Sequence, residues 1–197
     1  MHNENLSKQL EFIKEIDKLK YIQRKTKIFN SNRHENDAEH SWHLAMMVMV
    51  MAEHANAPID MLKVIKMVLI HDIVEIDSGD VFFYDTTKNH SNTDEELLAA
   101  NRIFGLLPEE QAQQLIEIWK EFKAGETDDA KFAKSMDRLA PMMQNHSNNG
   151  GTWKEFNVPY QKVHNLKNYI QKGSITMWRY AESILNESLE KGYILKD

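Results

Sequence analysis

The stretch Met67-Val68-Leu69-Ile70-His71-Asp72-Ile73-Val74 places a histidine and an aspartate inside an otherwise apolar run. A run of this kind predicts a helix that packs in a protein core. Ionisable groups buried in a core cost free energy unless they are paired or bound to a metal ion. His71 and Asp72 are therefore the first candidates for a functional site.

Two more ionisable residues lie on predicted apolar helix faces. His40 shares a face with Leu44 on an earlier helix, and Asp137 interrupts a later apolar stretch. All four side chains are expected to point into the interior from three separate helices, and helix bundles commonly hold metal ions between facing helices. Taken singly, each has a structural explanation, such as a satisfied core histidine or a buried salt-bridge partner. The joint pattern favours a metal site.

The ligand types restrict the metal. Two imidazoles and two carboxylates suit manganese, iron, cobalt, nickel or zinc better than calcium, which prefers oxygen ligands alone. The chain has no cysteine, which excludes zinc-thiolate sites, disulfides and a cysteine nucleophile. A single divalent ion with four protein ligands would keep positions open for water and a substrate oxygen. It would lower the pKa of water and polarise a phosphoryl group.

Two acids follow the His-Asp pair at short range. Glu75 lies one helical turn beyond His71, and Asp80 lies in the predicted loop after that helix. Glu75 is positioned to protonate a leaving group or to orient water, and Asp80 to orient water or substrate. The structural alternatives are a solvated helix end for Glu75 and an ordinary turn residue for Asp80.

Composition and charge restrict the class of protein. The chain has 197 residues, of which 42% are hydrophobic and 27% charged, and a net charge of −6. These values are typical of one globular domain, and the acidic balance argues against a partner made of duplex nucleic acid. The longest apolar run, residues 44–52, is too short to span a membrane. The polar N-terminus lacks a signal-peptide core, so a cytoplasmic location is expected.

Helical periodicity predicts an all-α bundle of about eight helices. The chain is expected to form one domain over residues 1–197, with a core at about 6–145 and C-terminal helices within 159–191 that complete or extend the bundle. Asn36 and Glu39 form a predicted capping box for the second helix. The predicted helices are 6–19, 37–55, 60–76, 93–104, 108–123, one that begins at Asp128 or Asp129, 159–171 and 174–191.

The order His40, His71-Asp72, Asp137 resembles the H…HD…D signature of the HD-domain metal-dependent phosphohydrolases. Residues 33–41, RHENDAEHS, resemble the R-x-E-N-x-A-E-H-S segment of bacterial 5′-deoxynucleotidases. Residues 71–80, HDIVEIDSGD, resemble the H-D-x-x-E-x-x-x-G-D segment of that group and of HD domain-containing protein 2. Residues 119–122 and 132–139 are also similar. The resemblance covers about residues 6–145.

The resemblance implies that His40, His71, Asp72 and Asp137 bind one divalent ion. It implies that Glu75 and Asp80 serve in hydrolysis of a nucleoside 5′-monophosphate to nucleoside and phosphate, and that the protein is a homodimer. An Arg-Trp pair contacts substrate in the deoxynucleotidases. The corresponding residues here are Arg24, Lys25 and Thr26, so the cation is present and the tryptophan is not.

The missing tryptophan places the 2′-deoxy preference in doubt. Phe29 and Trp42 are candidates for a substitute aromatic surface. Arg24, with Lys25 beside it, is the predicted binding residue for the substrate phosphate.

Two other functions remain open at this point. Some HD-domain proteins are di-iron oxygenases, which need further histidines as ligands. His43, His54 and His90 are the candidates here. The other alternative is a non-catalytic nucleotide-binding regulatory protein, against which the presence of both Glu75 and Asp80 argues.

Overall fold

A computed structural model describes residues 4–84 and 93–196 and confirms the all-α prediction. Over these residues, eight helices have eight or more residues, and α4, α8 and α10 are shorter. The helices are α1 (Glu4–Ile16), α2 (Asp37–Met51), α3 (Met61–Ile70), α4 (Glu75–Ser78), α5 (Thr93–Phe104), α6 (Glu109–Ala124), α7 (Asp128–Ser147), α8 (Gly151–Glu155), α9 (Tyr160–Lys167), α10 (Ile170–Gly173) and α11 (Ile175–Glu190). Two 3₁₀ turns, Asp17–Tyr21 and Ala52–His54, follow α1 and α2.

Helix α7 lies at the centre of the larger hydrophobic core. It packs against α2, α3, α10 and α11, and its fully buried side chains include Phe132, Met136 and Leu139. A second cluster joins α1, α5 and α6 through residues such as Phe104 and Trp119. Helices α10 and α11 at the C-terminal end of the chain thus pack directly on α7. No helix in the described part of the chain is long and apolar enough to cross a membrane.

The helix predicted over residues 60–76 is too long, because α3 ends at Ile70. The following turn is held by bonds three residues apart, from Ile73 N to Ile70 O (3.2 Å) and from Glu75 N to Asp72 O (2.9 Å). The carbonyl of His71 instead accepts a hydrogen bond from the indole of Trp119, at 3.2 Å. A distant side chain therefore replaces an intrahelical donor, and His71 and Asp72 lie in a turn at the helix end.

A small antiparallel sheet was not predicted from the sequence. Strands β1 (Gln23–Lys27) and β2 (His34–Asn36) pair with Gln23 opposite Asn36 and Lys27 opposite His34. β1 reads Gln-Arg-Lys-Thr-Lys and therefore lacks the apolar alternation that marks a half-buried strand. β2 runs into α2, where the predicted capping box of Asn36 and Glu39 is confirmed. The sheet brings Arg24 beside the N-terminal end of α2.

Both ends of α7 differ from those predicted. Thr127, rather than Asp128 or Asp129, caps α7, because its hydroxyl accepts from the backbone N–H of Ala130. Residues 145–151 are rich in asparagine and glycine and predict a loop, but α7 continues to Ser147. The predicted loop at residues 81–92 falls mainly on residues outside the described ranges.

Candidate metal centre and pocket

The four predicted metal ligands meet between α2, the α3–α4 turn and α7. Nε2 of His40 lies 3.1 Å from Oδ1 of Asp137, and Nε2 of His71 lies 3.7 Å from the same oxygen. His71 Nε2 also lies 3.0 Å from Oδ1 of Asp72. Ligand atoms of His40, His71 and Asp72 all lie within 4.8 Å of one another. The structure therefore places nitrogen and oxygen donors around one small volume.

Each imidazole is held through its other ring nitrogen. Nδ1 of His71 contacts the carbonyl of Val68 at 2.9 Å, which requires this nitrogen to carry the proton. Nδ1 of His40 lies 3.2 Å from Oε2 of Glu35. Both arrangements leave Nε2 as the nitrogen directed at the shared volume, as in metal sites where a carbonyl or carboxylate orients the histidine.

The residues fit a metal ion on their own chemistry. Nε2 of His71 is buried and has no hydrogen-bond partner among the described residues, although it lies beside two carboxylates. Burial alone would lower the pKa of His71, but Asp72 and Asp137 raise it to about 10. The cluster thus attracts a positive charge strongly. Two imidazoles and two carboxylates are a donor set that suits a divalent transition metal.

Arg24 links the metal ligands to two further carboxylates. Its Nη1 donates to Oδ2 of Asp72 at 2.8 Å and to Oδ1 of Asp37 at 3.1 Å. Its Nε lies 3.6 Å from Oε2 of Glu35. The predicted phosphate-binding arginine therefore also orients the metal ligand Asp72. Its Nε is buried and has no hydrogen-bond partner among the residues that the structure describes.

Glu75 and Asp80 lie together, as predicted, and Asp37 joins them. Carboxylate oxygens of these three residues lie within 4.8 Å of one another. Burial, followed by the charges of Asp72 and Asp37, raises the pKa of Glu75 well above its usual range. Burial also raises the pKa of Asp37 to about 6, with Asp72 acting in the same direction. Burial of these carboxyls therefore favours their protonated forms, and a general acid must carry a proton.

A pocket of about 310 Å³ opens beside these groups. Its wall near the α3–α4 turn carries Asp72, Glu75 and Asp80, together with Arg24 and the exposed Lys25. A second wall carries basic residues from α7 and α9. The aromatic lining residues are Phe82, Phe83, Tyr84 and Phe122. Neither Phe29 nor Trp42 is among the lining residues, so the aromatic surface of the pocket differs from the one expected.

The extra histidines considered from the sequence lie elsewhere where the structure describes them. His43 stacks with Trp42 and contacts Phe29 edge-on, and His54 lies in the 3₁₀ turn after α2. Within the described ranges, neither belongs to a group of side chains that could hold a metal with His40. His90 lies outside the described residues. This placement does not favour the di-iron alternative.

Sequence reasoning missed three residues of the site. Glu35 and Asp37 are almost fully buried beside the metal ligands, and Lys167 lines the pocket from α9. Both acids fall within the RHENDAEHS segment, so their position beside His40 was an available signal. Lys167 carried no such signal, because nothing in its local sequence distinguishes it from a surface lysine.

Comparison with known proteins agrees with this geometry. A family model described as HD domain matches residues 16–178. The 5′-deoxynucleotidase HDDC2 of Homo sapiens is 27% identical over 136 residues, which cover 68% of this chain and 65% of the human protein. The protein of the same name from Dictyostelium discoideum is 28% identical, over 71% of this chain and 76% of its own length. The chain thus spans slightly less than two thirds of the human relative.

Two solved structures match a larger share of this chain than the HDDC2 proteins do. A predicted metal-dependent phosphohydrolase from Magnetospirillum magnetotacticum MS-1 has a TM-score of 0.92 at 44% identity, covering 98% of this chain and 99% of that protein. A conserved hypothetical protein from Pyrococcus furiosus has a TM-score of 0.65 at 20% identity, covering 92% and 99%. The second likeness concerns the fold alone. Together with the family match, these findings confirm the family and the fold expected from the H…HD…D pattern.

Proposed function

We propose that this chain, which belongs to the HD domain family, is a metal-dependent phosphohydrolase that cleaves nucleoside 5′-monophosphates to nucleoside and inorganic phosphate. The observation that carries the proposal is the convergence of His40, His71, Asp72 and Asp137 at the edge of a pocket. That pocket carries both buried acids and basic side chains. The names of the HDDC2 relatives and of the Magnetospirillum structure support the same reaction class.

The four ligands would hold one divalent ion of the manganese, iron, cobalt, nickel or zinc type. When bound, such an ion activates water and polarises a phosphoryl oxygen. Metal analysis of chelator-washed protein, reloaded with each ion in turn, tests this assignment. We expect one ion per chain in the wild type and almost none in His71→Ala. Equal metal content in the two proteins would contradict the site.

Glu75 is the proposed general acid. Burial raises the pKa of its carboxyl and so favours the protonated form, and the carboxyl lines the pocket beside Asp80. Glu75 can therefore donate a proton to the leaving 5′-oxygen as the phosphorus–oxygen bond breaks. Asp80, whose pKa is also raised by burial, is proposed to orient substrate or water. Arg24 and Lys25 are proposed to attract the phosphate to this wall.

Nucleotides are the proposed substrate class because of the pocket size and the relatives. A pocket of about 310 Å³ is in the range of small-ligand sites. The deoxynucleotidase name of the relatives points to 2′-deoxynucleotides, but no tryptophan follows Arg24 in this chain. We therefore propose that ribo- and deoxyribonucleoside monophosphates are both accepted, with weaker discrimination than a dedicated deoxynucleotidase.

A phosphate-release screen tests the function directly. Matched pairs such as AMP and dAMP, together with sugar phosphates, are incubated with protein loaded with each metal. We expect release from nucleoside monophosphates and none from His71→Ala. Release from sugar phosphates alone would contradict the nucleotide assignment. No release from any ester by metal-loaded protein would contradict the proposed function as a whole.

We also propose that the protein is a homodimer. Helices α2 and α3 pack together and carry large apolar side chains that face solvent, with exposed fractions of 63% for Trp42, 66% for Val50 and 62% for Leu62. Large apolar side chains exposed on two adjacent helices are candidates for a protein interface. Light scattering after size-exclusion chromatography should give twice the chain mass for the wild type and a smaller mass for Trp42→Glu. A monomeric wild type would contradict the proposal.

A further inference from the structure

Lys167 is a buried lysine at the wall of the pocket. It is the last residue of α9 and only 5% exposed. Among the described residues, its ammonium group forms no hydrogen bond or ion pair, and it lies 5.0 Å from the centroid of the Phe83 ring. A lysine this buried usually has a carboxylate or carbonyl partner. The side chain lines the pocket, so an acceptor from outside the protein can reach it.

A second cation lies beside Lys167 on the same wall. The guanidinium of Arg138 packs on the ring of Tyr169 at 4.1 Å, and it lies 6.0 Å from the ring of Phe83. Its Nε is buried and has no hydrogen-bond partner within the described ranges. Lys167 and Arg138 thus hold two incompletely satisfied cationic groups at the pocket, and both contact Phe83.

Burial of the positive charges of Lys167 and Arg138 costs free energy when no anion is bound beside them. Burial, more than any other cause, lowers the pKa of Lys167 to about 7, and the positive charges of Arg138 and Arg24 lower it further. Asp137 acts in the opposite direction without offsetting the burial. Lys134 on the same wall differs, because it donates to the carbonyl of Lys123 at 2.7 Å. In the part of the chain that the structure describes, Lys167 therefore lacks the kind of hydrogen-bond acceptor that Lys134 has.

We propose that Lys167 and Arg138 bind the phosphoryl oxygens of the substrate that face away from the metal ligands. A phosphate monoester is a dianion with three terminal oxygens, and it offers more acceptors than the metal site can occupy. Both cations line the same pocket as His71, Asp72 and Asp137. One phosphoryl group can therefore contact both walls. This inference rests on the proposed function, since it names the residues that recognise the phosphate of that substrate.

The binding of inorganic phosphate to metal-loaded protein tests the inference without turnover. Titration calorimetry compares wild type, Lys167→Met, Lys167→Arg and the control Lys154→Met, which changes an exposed lysine outside the pocket. Loss of a charge-assisted hydrogen bond should weaken binding on the order of 10–100-fold in Lys167→Met. Lys167→Arg keeps the positive charge and should retain part of the affinity. The control should match wild type.

A second measurement uses the wild-type protein only. Lysines are acylated with acetic anhydride in the presence or absence of inorganic phosphate, and the modified sites are identified by mass spectrometry. Phosphate should protect Lys167 and leave Lys154 unprotected. Equal labelling of Lys167 in both samples would overturn the inference, as would wild-type phosphate affinity in Lys167→Met.

The outcomes separate this inference from the proposed function. If the protein hydrolyses nucleotides but phosphate binding is independent of Lys167, only the inference is wrong. If Lys167 binds phosphate but no nucleotide is hydrolysed, only the proposed function is wrong. If Lys167→Met loses its metal as well as its phosphate affinity, and phosphate fails to protect Lys167 in the wild type, the role of Lys167 is structural and the inference is wrong.

Discussion

Oε2 of Glu35 lies 3.2 Å from Nδ1 of His40, on the side of the ring opposite to the candidate metal. The carboxylate is itself fixed, because Gln144 donates to Oε1 at 2.6 Å. Burial alone would raise the pKa of Glu35. His40 and Arg24 lower it by more than this, so the pKa of Glu35 lies below its usual range. Glu35 is therefore a buried anion that sets the orientation of His40.

Replacing Glu35 with alanine should weaken metal binding. Without the carboxylate, Nδ1 of His40 has no acceptor, and the ring loses its preferred orientation. Partners of this kind contribute about 10–100-fold to metal affinity. Competition with a metal-sensitive dye measures the change, and Glu53→Ala, on an exposed turn residue, is the matched control. Unchanged affinity in Glu35→Ala would remove Glu35 from the site.

Glu75→Gln should keep the fold and the metal but lose most hydrolysis. Glutamine has the shape of the protonated carboxyl but no acidic proton to donate. General acids contribute about 10²–10⁴-fold to rates, and the turnover number should fall by that factor. The Michaelis constant should change less than the turnover number. Metal content measured on the same samples serves as the control, and near wild-type turnover would exclude Glu75 as the acid.

Arg24→Lys should reduce activity although the charge is kept. A lysine ammonium cannot reproduce the planar guanidinium that bonds Asp72 and Asp37 together. The expected loss in kcat/KM is about tenfold or more, by analogy with other residues that orient metal ligands. The matched control is Arg33→Lys, on an exposed arginine that pairs with Glu39. Equal kinetics for Arg24→Lys and wild type would contradict this role.

Lys167→Met should stabilise the protein near neutral pH in phosphate-free buffer. The unfolded chain holds the lysine proton up to pH 10.5, whereas the folded protein releases it near pH 7. Between these values the unfolded state binds more protons, so wild-type stability rises with pH. Arg138, Asp137 and Arg24 are the charged groups that act on Lys167.

The melting temperature is the measurement for this prediction. The melting temperature of Lys167→Met should be higher than that of the wild type at pH 7. This difference should shrink as the pH approaches 10. Inorganic phosphate should reduce the difference at pH 7, because the anion partners the lysine only in the wild type. A difference that is constant from pH 7 to pH 10 would mean that Lys167 is not a buried ammonium.

The candidate metal ligands stand out in the sequence because they violate a local rule. His71 and Asp72 interrupt an apolar run, and no packing argument accounts for them, so their chemistry was visible in the sequence. The site residues that were missed do not violate such a rule. Glu35 lies in a polar segment, and Lys167 ends a helix of ordinary composition. Their burial arises from tertiary packing, which a local pattern does not encode.

The same distinction applies to the fold. Helices with strong periodicity and caps were placed correctly, as at Thr93–Phe104 and Ile175–Glu190. The end of α3 was misplaced because its cause is a side chain 48 positions later in the sequence, Trp119. The two strands were missed because β1 is polar along its whole length and pairs through its backbone. The end of α3 and the pairing of the two strands depend on contacts between residues that are distant in the sequence.

The hydrogen bond between Trp119 and the carbonyl of His71 makes the indole an optical probe of the centre. Indole emission responds to the electric field around the ring, and the proposed ion would add two positive charges next to His71. Loading and removal of the ion can therefore be followed by intrinsic fluorescence, without a label or a substrate. Trp42 is 63% exposed, so a soluble quencher suppresses its emission selectively and leaves the buried indoles to report.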